Sequence, residues 1–149
     1  MKYYMNKRMV AKIRKTPYKR VTIPKQLHNI LDEGLIFKNN CVFIRYFYNA
    51  NPHLIESQFE DNTQYEHTIN GFHFVDYFDK CTINHIFAFV DKLEKIIKSS
   101  DFKYPILIVI SFDKDDFHFS LGGIHDNETP WIDANDLDYY KQAILLIKI

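Results

Sequence analysis

The first 28 residues contain no acid at all, although they carry nine lysines and arginines. Cysteine is nearly absent too. Cys41 and Cys81 stand in no metal or redox spacing, and one possible pair is too few to form a disulfide framework, so a reducing cytoplasm is the expected compartment. The longest apolar run, near Pro105 to Phe112, is far too short to span a bilayer. The opening MKYYMNKRMVAKIRK has positive charge but no apolar stretch of signal-peptide length. With only four glycines and five prolines, and with no repeat, low-complexity linker or compositional break, residues 1 to 149 read as one domain.

What the chain does have is charge segregation and aromatic bulk. Lysine plus arginine and aspartate plus glutamate both number 19, giving no net charge. Yet Asp101 to Tyr140 holds nine acids against two lysines, a local charge of −7. Two surfaces of opposite sign would be open to charged partners, unless the two segments meet in space and cancel. Thirteen Phe, ten Tyr and one Trp favour a β-containing interior packed with rings. A chain of this length buries about 70% of its unfolded surface, enough for a true core.

Several elements can be read from periodicity. Met9 to Arg14 fits a strand, and Ile23 to Leu31 a short helix started near Pro24 and stopped by Gly34. CVFIRYFY, from Cys41 to Tyr48, is β-branched and aromatic and reads as a strand. The polar stretch from there to Asn70 reads as a loop. Ile83, Ile86, Phe87, Val90, Leu93 and Ile97 follow the helical period, with Lys92, Lys95 and Lys98 suiting the C-terminal end of that helix. YPILIVISF, from Tyr104 to Phe112, is apolar on both alternations and is placed in the middle of a sheet. A tight Asp113 to Asp116 turn leads to a second hairpin arm, Phe117 to Leu121, ended by Gly122 and Gly123. Asp133 or Asp136 can cap a short helix through Tyr140, and Ala143 to Ile149 forms a last apolar strand. The order indicates an α+β fold: one domain, a largely antiparallel central sheet, and two or three helices.

The chemistry is sparse. His28, His53, His67, His73, His85, His118 and His125 make no HxxxH or HExxH pattern, and there is no GxGxxG, Walker loop or GxSxG. His118 beside Asp116 or Asp126 has the composition of a general-base pair, but a solvent-facing histidine on a hairpin is the expected reading. Asp115 and Asp116 could bind a divalent cation, although adjacent acids in a turn are usually only solvated. No catalytic residue, metal site or cofactor site is assigned, and an enzymatic role is not expected.

Two stretches resemble known families. SFDKDDFHFSLGG followed by Trp131, Asp136–Leu137, Tyr140 and Ala143–Ile144 has the pattern W-x4-D-L-x2-Y-x2-A running into an apolar strand. It resembles the immunity proteins of contact-dependent growth inhibition and other polymorphic toxin systems. The resemblance covers about the last forty residues and implies a non-catalytic cytoplasmic protein, monomeric, that binds one cognate toxin domain and blocks its active site or substrate access. Many such toxins are nucleases with cationic clefts, which an acidic partner can fill as a surrogate polyanion. The expected toxin-binding residues are Asp113, Asp115, Asp116, Asp126, Glu128, Asp133, Asp136 and Asp138, with Tyr139 as an aromatic anchor and Trp131 placed in the core. Neither a membrane nor a nucleic acid is a partner in this reading.

The alternative lies at the other end. VAKIRKTPYKRVTIPKQLHNILDEGL resembles swapped-hairpin DNA-binding regulators and antitoxins, in which a basic strand precedes R-V-T-I-P-K, a helix, a Gly turn and another strand. That resemblance makes Arg14, Lys15 and Lys19 phosphate or groove contacts.

Overall fold

The computed structural model describes all of residues 1–149. Five strands form an antiparallel sheet in the order β1-β7-β5-β6-β4, with β1 at Lys2–Met5, β4 at Phe72–His73, β5 at Ile106–Asp113, β6 at Asp116–Gly123 and β7 at Ala143–Lys148. A separate hairpin joins β2, Leu35–Lys38, to β3, Cys41–Ile44. Five helices complete the α+β architecture: α1 Lys7–Lys15, α2 Lys25–Asp32, α3 Arg45–Ala50, α4 Asn62–Ile69 and α5 Ile83–Lys98.

The doubly apolar strand β5 is central, hydrogen-bonded to β6 on one side and β7 on the other. Its alternation divides the core. Ile106, Ile108 and Ile110 face inward with Phe117, Phe119, Leu121, Leu145 and Ile147, and this face carries the main core. Val109 faces the opposite way with Ile144, Leu146 and Leu137 in a small second cluster. Helix α5 backs the main face through Ile83, Ile86, Phe89, Val90, Leu93 and Ile97; Phe89 rather than Phe87 is the fully buried ring. Phe72, Phe74, Phe89 and Phe119 pack as mutually edged and tilted rings, which is where the aromatic excess goes. Both hairpins close through two residues at positive φ, Asn39–Asn40 and Lys114–Asp115, the sense that matches the twist of paired strands.

The sequence expectations need correction at several elements. Met9 to Arg14 is not a strand but most of α1, whose N-terminus is capped by Asn6: its Oδ1 accepts from Met9 N at 3.0 Å and from Ile144 N at 3.0 Å. Strand character after Cys41 ends at Ile44, and Arg45 begins α3, with its guanidinium donating to Glu33 O and Leu35 O. The polar stretch before Asn70 is not all loop, since it contains α4, capped by Asp61. Gly122 and Gly123 are the last two residues of β6, paired with Leu107 and Ile106, so the strand ends with them rather than at Leu121. The helices therefore number five rather than two or three. Nearer the C-terminus only a single 3₁₀ turn forms, Leu137–Tyr139, with no side-chain cap from Asp136.

Helix α4 is unusual because, beside the apolar Tyr65 and Ile69, it buries a polar stripe. Thr63, Glu66, His67 and Asn70 fall at i, i+3, i+4 and i+7, and all four are buried. Strand β4 pairs with β6 only at His118 and Phe119, so the rest of that β6 edge has no strand hydrogen-bonded to it. Asn70 and Glu66 fill the gap. Asn70 Nδ2 donates to Leu121 O on β6 and to Val42 O on β3, both at 2.9 Å, while its Oδ1 accepts from Ile44 N at 2.8 Å. Glu66 Oε1 accepts from Val42 N at 2.6 Å, and Oε2 from Gly123 N at 3.1 Å. Two side chains thus stand where a strand ladder would otherwise run. Asn70→Ala strands three buried backbone groups at once, each worth about 1–3 kcal/mol. It is expected to lower unfolding free energy by at least about 3 kcal/mol in urea titration, and a loss under 1 kcal/mol would show that this bridge is dispensable.

Candidate functional site

Helix α4 lies so close to β6 that a side chain on Gly122 would collide with it. A Cβ there would sit 2.7 Å from His67 Cδ2 and 3.2 Å from the Glu66 Cβ. The absent side chain lets the His67 ring settle on the sheet, with Nδ1 2.9 Å from Ser120 Oγ. The segment after β6 folds back over this point as a strap, residues 124–142. It contributes His125, whose Nε2 lies 2.6 Å from Glu66 Oε2, and Trp131, whose ring stacks on His67 at 5.0 Å. It also contributes Glu128, which accepts from Asn62 N, Thr63 N and Thr63 Oγ1 at the N-terminus of α4. These groups border a cleft of about 370 Å³ with Leu107 and Leu146 on its floor and Ile132 and Pro130 on its wall.

The electrostatics follow from burial. Desolvation pushes the Glu66 carboxyl above the usual carboxylate range, although bonds from Val42 N, His125 and Gly123 N pull the other way. Burial also pushes His67 down to about 3, with His125 and His118 adding repulsion, so its imidazole is neutral in the folded state. For Glu128 the burial cost is outweighed by the Thr63 and Asn62 hydrogen bonds and by His125, leaving it below its ordinary value. Every buried side-chain nitrogen and oxygen has a partner. His125 Nε2 is taken by Glu66, and its Nδ1 makes no hydrogen bond within the chain.

Of these residues, only Glu128 was among the expected binding positions, and it turns out to be a helix cap. The signal for the others lay in the 63, 66, 67, 70 spacing of polar residues, a pattern that a search for apolar periodicity passes over. His118 does not pair with Asp116 or Asp126. Asp116 instead bonds His73 Nδ1 at 2.5 Å and Val75 N at 3.2 Å, while the His118 ring packs edgewise on His73. Trp131 is not in the core, since 39% of it remains exposed.

The expected acidic surface is divided. Asp113, Asp115 and Asp116 sit at the tip of the β5–β6 hairpin, whereas Asp126 and Glu128 follow its other end, about 24 Å away along eight-residue strands. Asp133, Asp136, Asp138 and Tyr139 lie on the strap between, where Ile132, Leu137 and Tyr140 anchor it to the outer sheet face. Asp138 is tied down by Lys7, accepting its backbone N–H at 2.8 Å. Asp113, Asp115, Asp126, Asp133 and Asp136 are exposed and form no ion pair. No three His, Cys, Asp or Glu side chains converge as metal ligands, and no helix is long and apolar enough to cross a membrane.

A family model matches residues 4–149, all of the chain except its first three residues. The chain belongs to the uncharacterized protein PM0498 family. No curated protein and no solved structure matches it.

The neutral state of His67 has a consequence for stability. Its folded pKa lies below the unfolded value of 6.5, so the unfolded chain binds more protons between the two; the contribution is complete above pH 6.5 and lost as pH falls toward 3. Between pH 7.5 and 5 this amounts to about 2 kcal/mol. His67→Gln removes the titration, so the stability gap between wild type and variant should narrow by that amount over the interval in urea titrations. Parallel curves would show that His67 titrates normally.

Proposed function

We propose that the chain is an immunity protein of a contact-dependent growth inhibition or related polymorphic toxin system, which binds a cognate nuclease toxin domain and blocks its active site or substrate access. The observation that carries this reading is the strap. Asp126, Asp133 and Asp136 stand exposed and unpaired along it, beside Tyr139 at 82% exposure and the half-stacked Trp131. Free carboxylates next to exposed rings are the ingredients of a surface that meets a cationic cleft: the charges speed encounter and the rings supply contact area. The polar groups that could serve catalysis are committed to structure instead. Glu66 bridges two strands, Glu128 caps α4 and His67 is held neutral beneath Trp131.

Of the expected acidic surface, the hairpin tip is set aside and the interface is narrowed to the strap. Asp116 and Asp138 hold local structure, and the free tip residues Asp113 and Asp115 lie far from Asp126. The complex acts in the cytoplasm, as one copy of the chain per toxin domain, without a cofactor.

Co-expression with the toxin domain encoded beside it should restore growth of the host cell. Reversing Asp126, Asp133 and Asp136 to lysine should then weaken binding in calorimetric titration by at least about tenfold, chiefly through slower association, because rim charges steer encounter. Melting temperature should change little. Asp113→Lys with Asp115→Lys should matter much less, and the reverse ranking would move the interface back to the hairpin tip. Failure of the wild-type chain to rescue growth or bind the toxin would sink the immunity reading itself.

A further inference from the structure

Helix α1 brings the basic N-terminal segment against the hairpin tip, and the cations there do not find the neighbouring acids. Arg8, Lys12 and Lys15 recur at i, i+4 and i+7 along α1. Together with Lys114 from the β5–β6 turn and Lys141 from the end of the strap, they line one groove of about 530 Å³. None of the five has a carboxylate within ion-pair distance, and Asp113 is the only acid lining the groove. Three segments far apart in sequence thus supply unpaired charge of one sign to one concavity. Clustering within the first 28 residues accounts for neither Lys114 nor Lys141.

We propose that this groove binds the phosphate backbone of a nucleic acid, independently of its sequence. The chemistry of the lining selects a polyanion over a folded protein partner. The long side chains of Arg8, Lys15, Lys114 and Lys141 are exposed and free to follow phosphates. Lys12 lies 3.4 Å above the Phe112 ring, which occupies the apolar surface that a peptide side chain would otherwise use. Four of the five cations are lysines, compact point charges on flexible stems that suit phosphate contacts, which position a strand without specifying it. This surface is separate from the acidic strap and stands whether or not the strap binds a toxin.

The full chain titrated into a fluorescein-labelled single-stranded RNA of mixed sequence tests the proposal by anisotropy. Binding should be present near 50 mM salt, and the logarithm of affinity should fall against the logarithm of salt with a slope of about −2 to −3.5, for three to five phosphates neutralised. Lys15→Glu with Lys141→Glu touches no core contact and should reduce affinity at least about tenfold. Lys25→Glu with Lys103→Glu makes the same change in net charge away from the groove and should have little effect. Absence of binding at low salt, or equal losses from both pairs, overturns the proposal. So does polyglutamate competing as well as unlabelled RNA, which would make the groove a site for acidic polypeptide.

Discussion

The structure turns on two side chains, Glu66 and Asn70, that do the work of a missing strand. The β2–β3 hairpin lies beside the far end of β6 without a backbone ladder between them, and both edges would be buried with open N–H and C=O groups. A buried unpaired amide costs more than a typical hydrogen bond gains, so this seam could not close on apolar packing alone. One helical turn separates the two residues, which places them on the same face of α4 and lets both reach across to β3 and β6. Helix α4 is consequently held to the sheet by polar bonds, and Gly122 is required so that it can approach. The cleft, the Trp131 stack and the course of the strap all depend on that placement.

Much of the sheet was legible because its signals are local. Tyr104 to Phe112 has a double apolar alternation, Phe117 to Leu121 a single one, and the intervening DKDD turn supplies residues that tolerate positive φ. Helix α5 was legible for a similar reason, with its period sustained over four turns. The exchange of Phe87 for Phe89 shows the limit: both are aromatic, and only packing against Phe72, Phe74 and Phe119 decides which ring is inside. At Cys41 to Tyr48 local β preference was overridden by tertiary contacts, since Arg45 turns to bond the carbonyls of Glu33 and Leu35.

Helices α1 and α4 were not legible, for opposite reasons. In α1 the apolar stripe is thin, with Met9 its only fully buried residue. The cap that starts it, Asn6, also accepts from Ile144 N and donates to Leu137 O and Gln142 O, so its role is fixed by chain more than 130 residues away. In α4 the stripe exists but is polar. Thr63, Glu66, His67 and Asn70 read as a soluble loop to any rule that equates burial with hydrophobicity. The candidate site went unseen with them, because three of those four residues border its cleft or support it.

The same geometry recasts the charge segregation. In sequence the basic and acidic segments are separated by about half the chain, but α1 and the hairpin tip are neighbours in space, and Lys7 and Asp138 pair directly. Cancellation is nevertheless partial. Close approach neutralises charge only where side chains pair, and here Lys12 lies over Phe112 while Asp116 pairs with His73. The residual charges then sort into a cationic groove beside the tip and an anionic strap beyond it. Fixing long charged side chains in surface pairs gains little energy and loses rotamer freedom, so nothing in folding required them to be left this way or prevented it. Their separation is therefore not a requirement of the fold that carries them, and the partners proposed for the two surfaces would supply the reason for it.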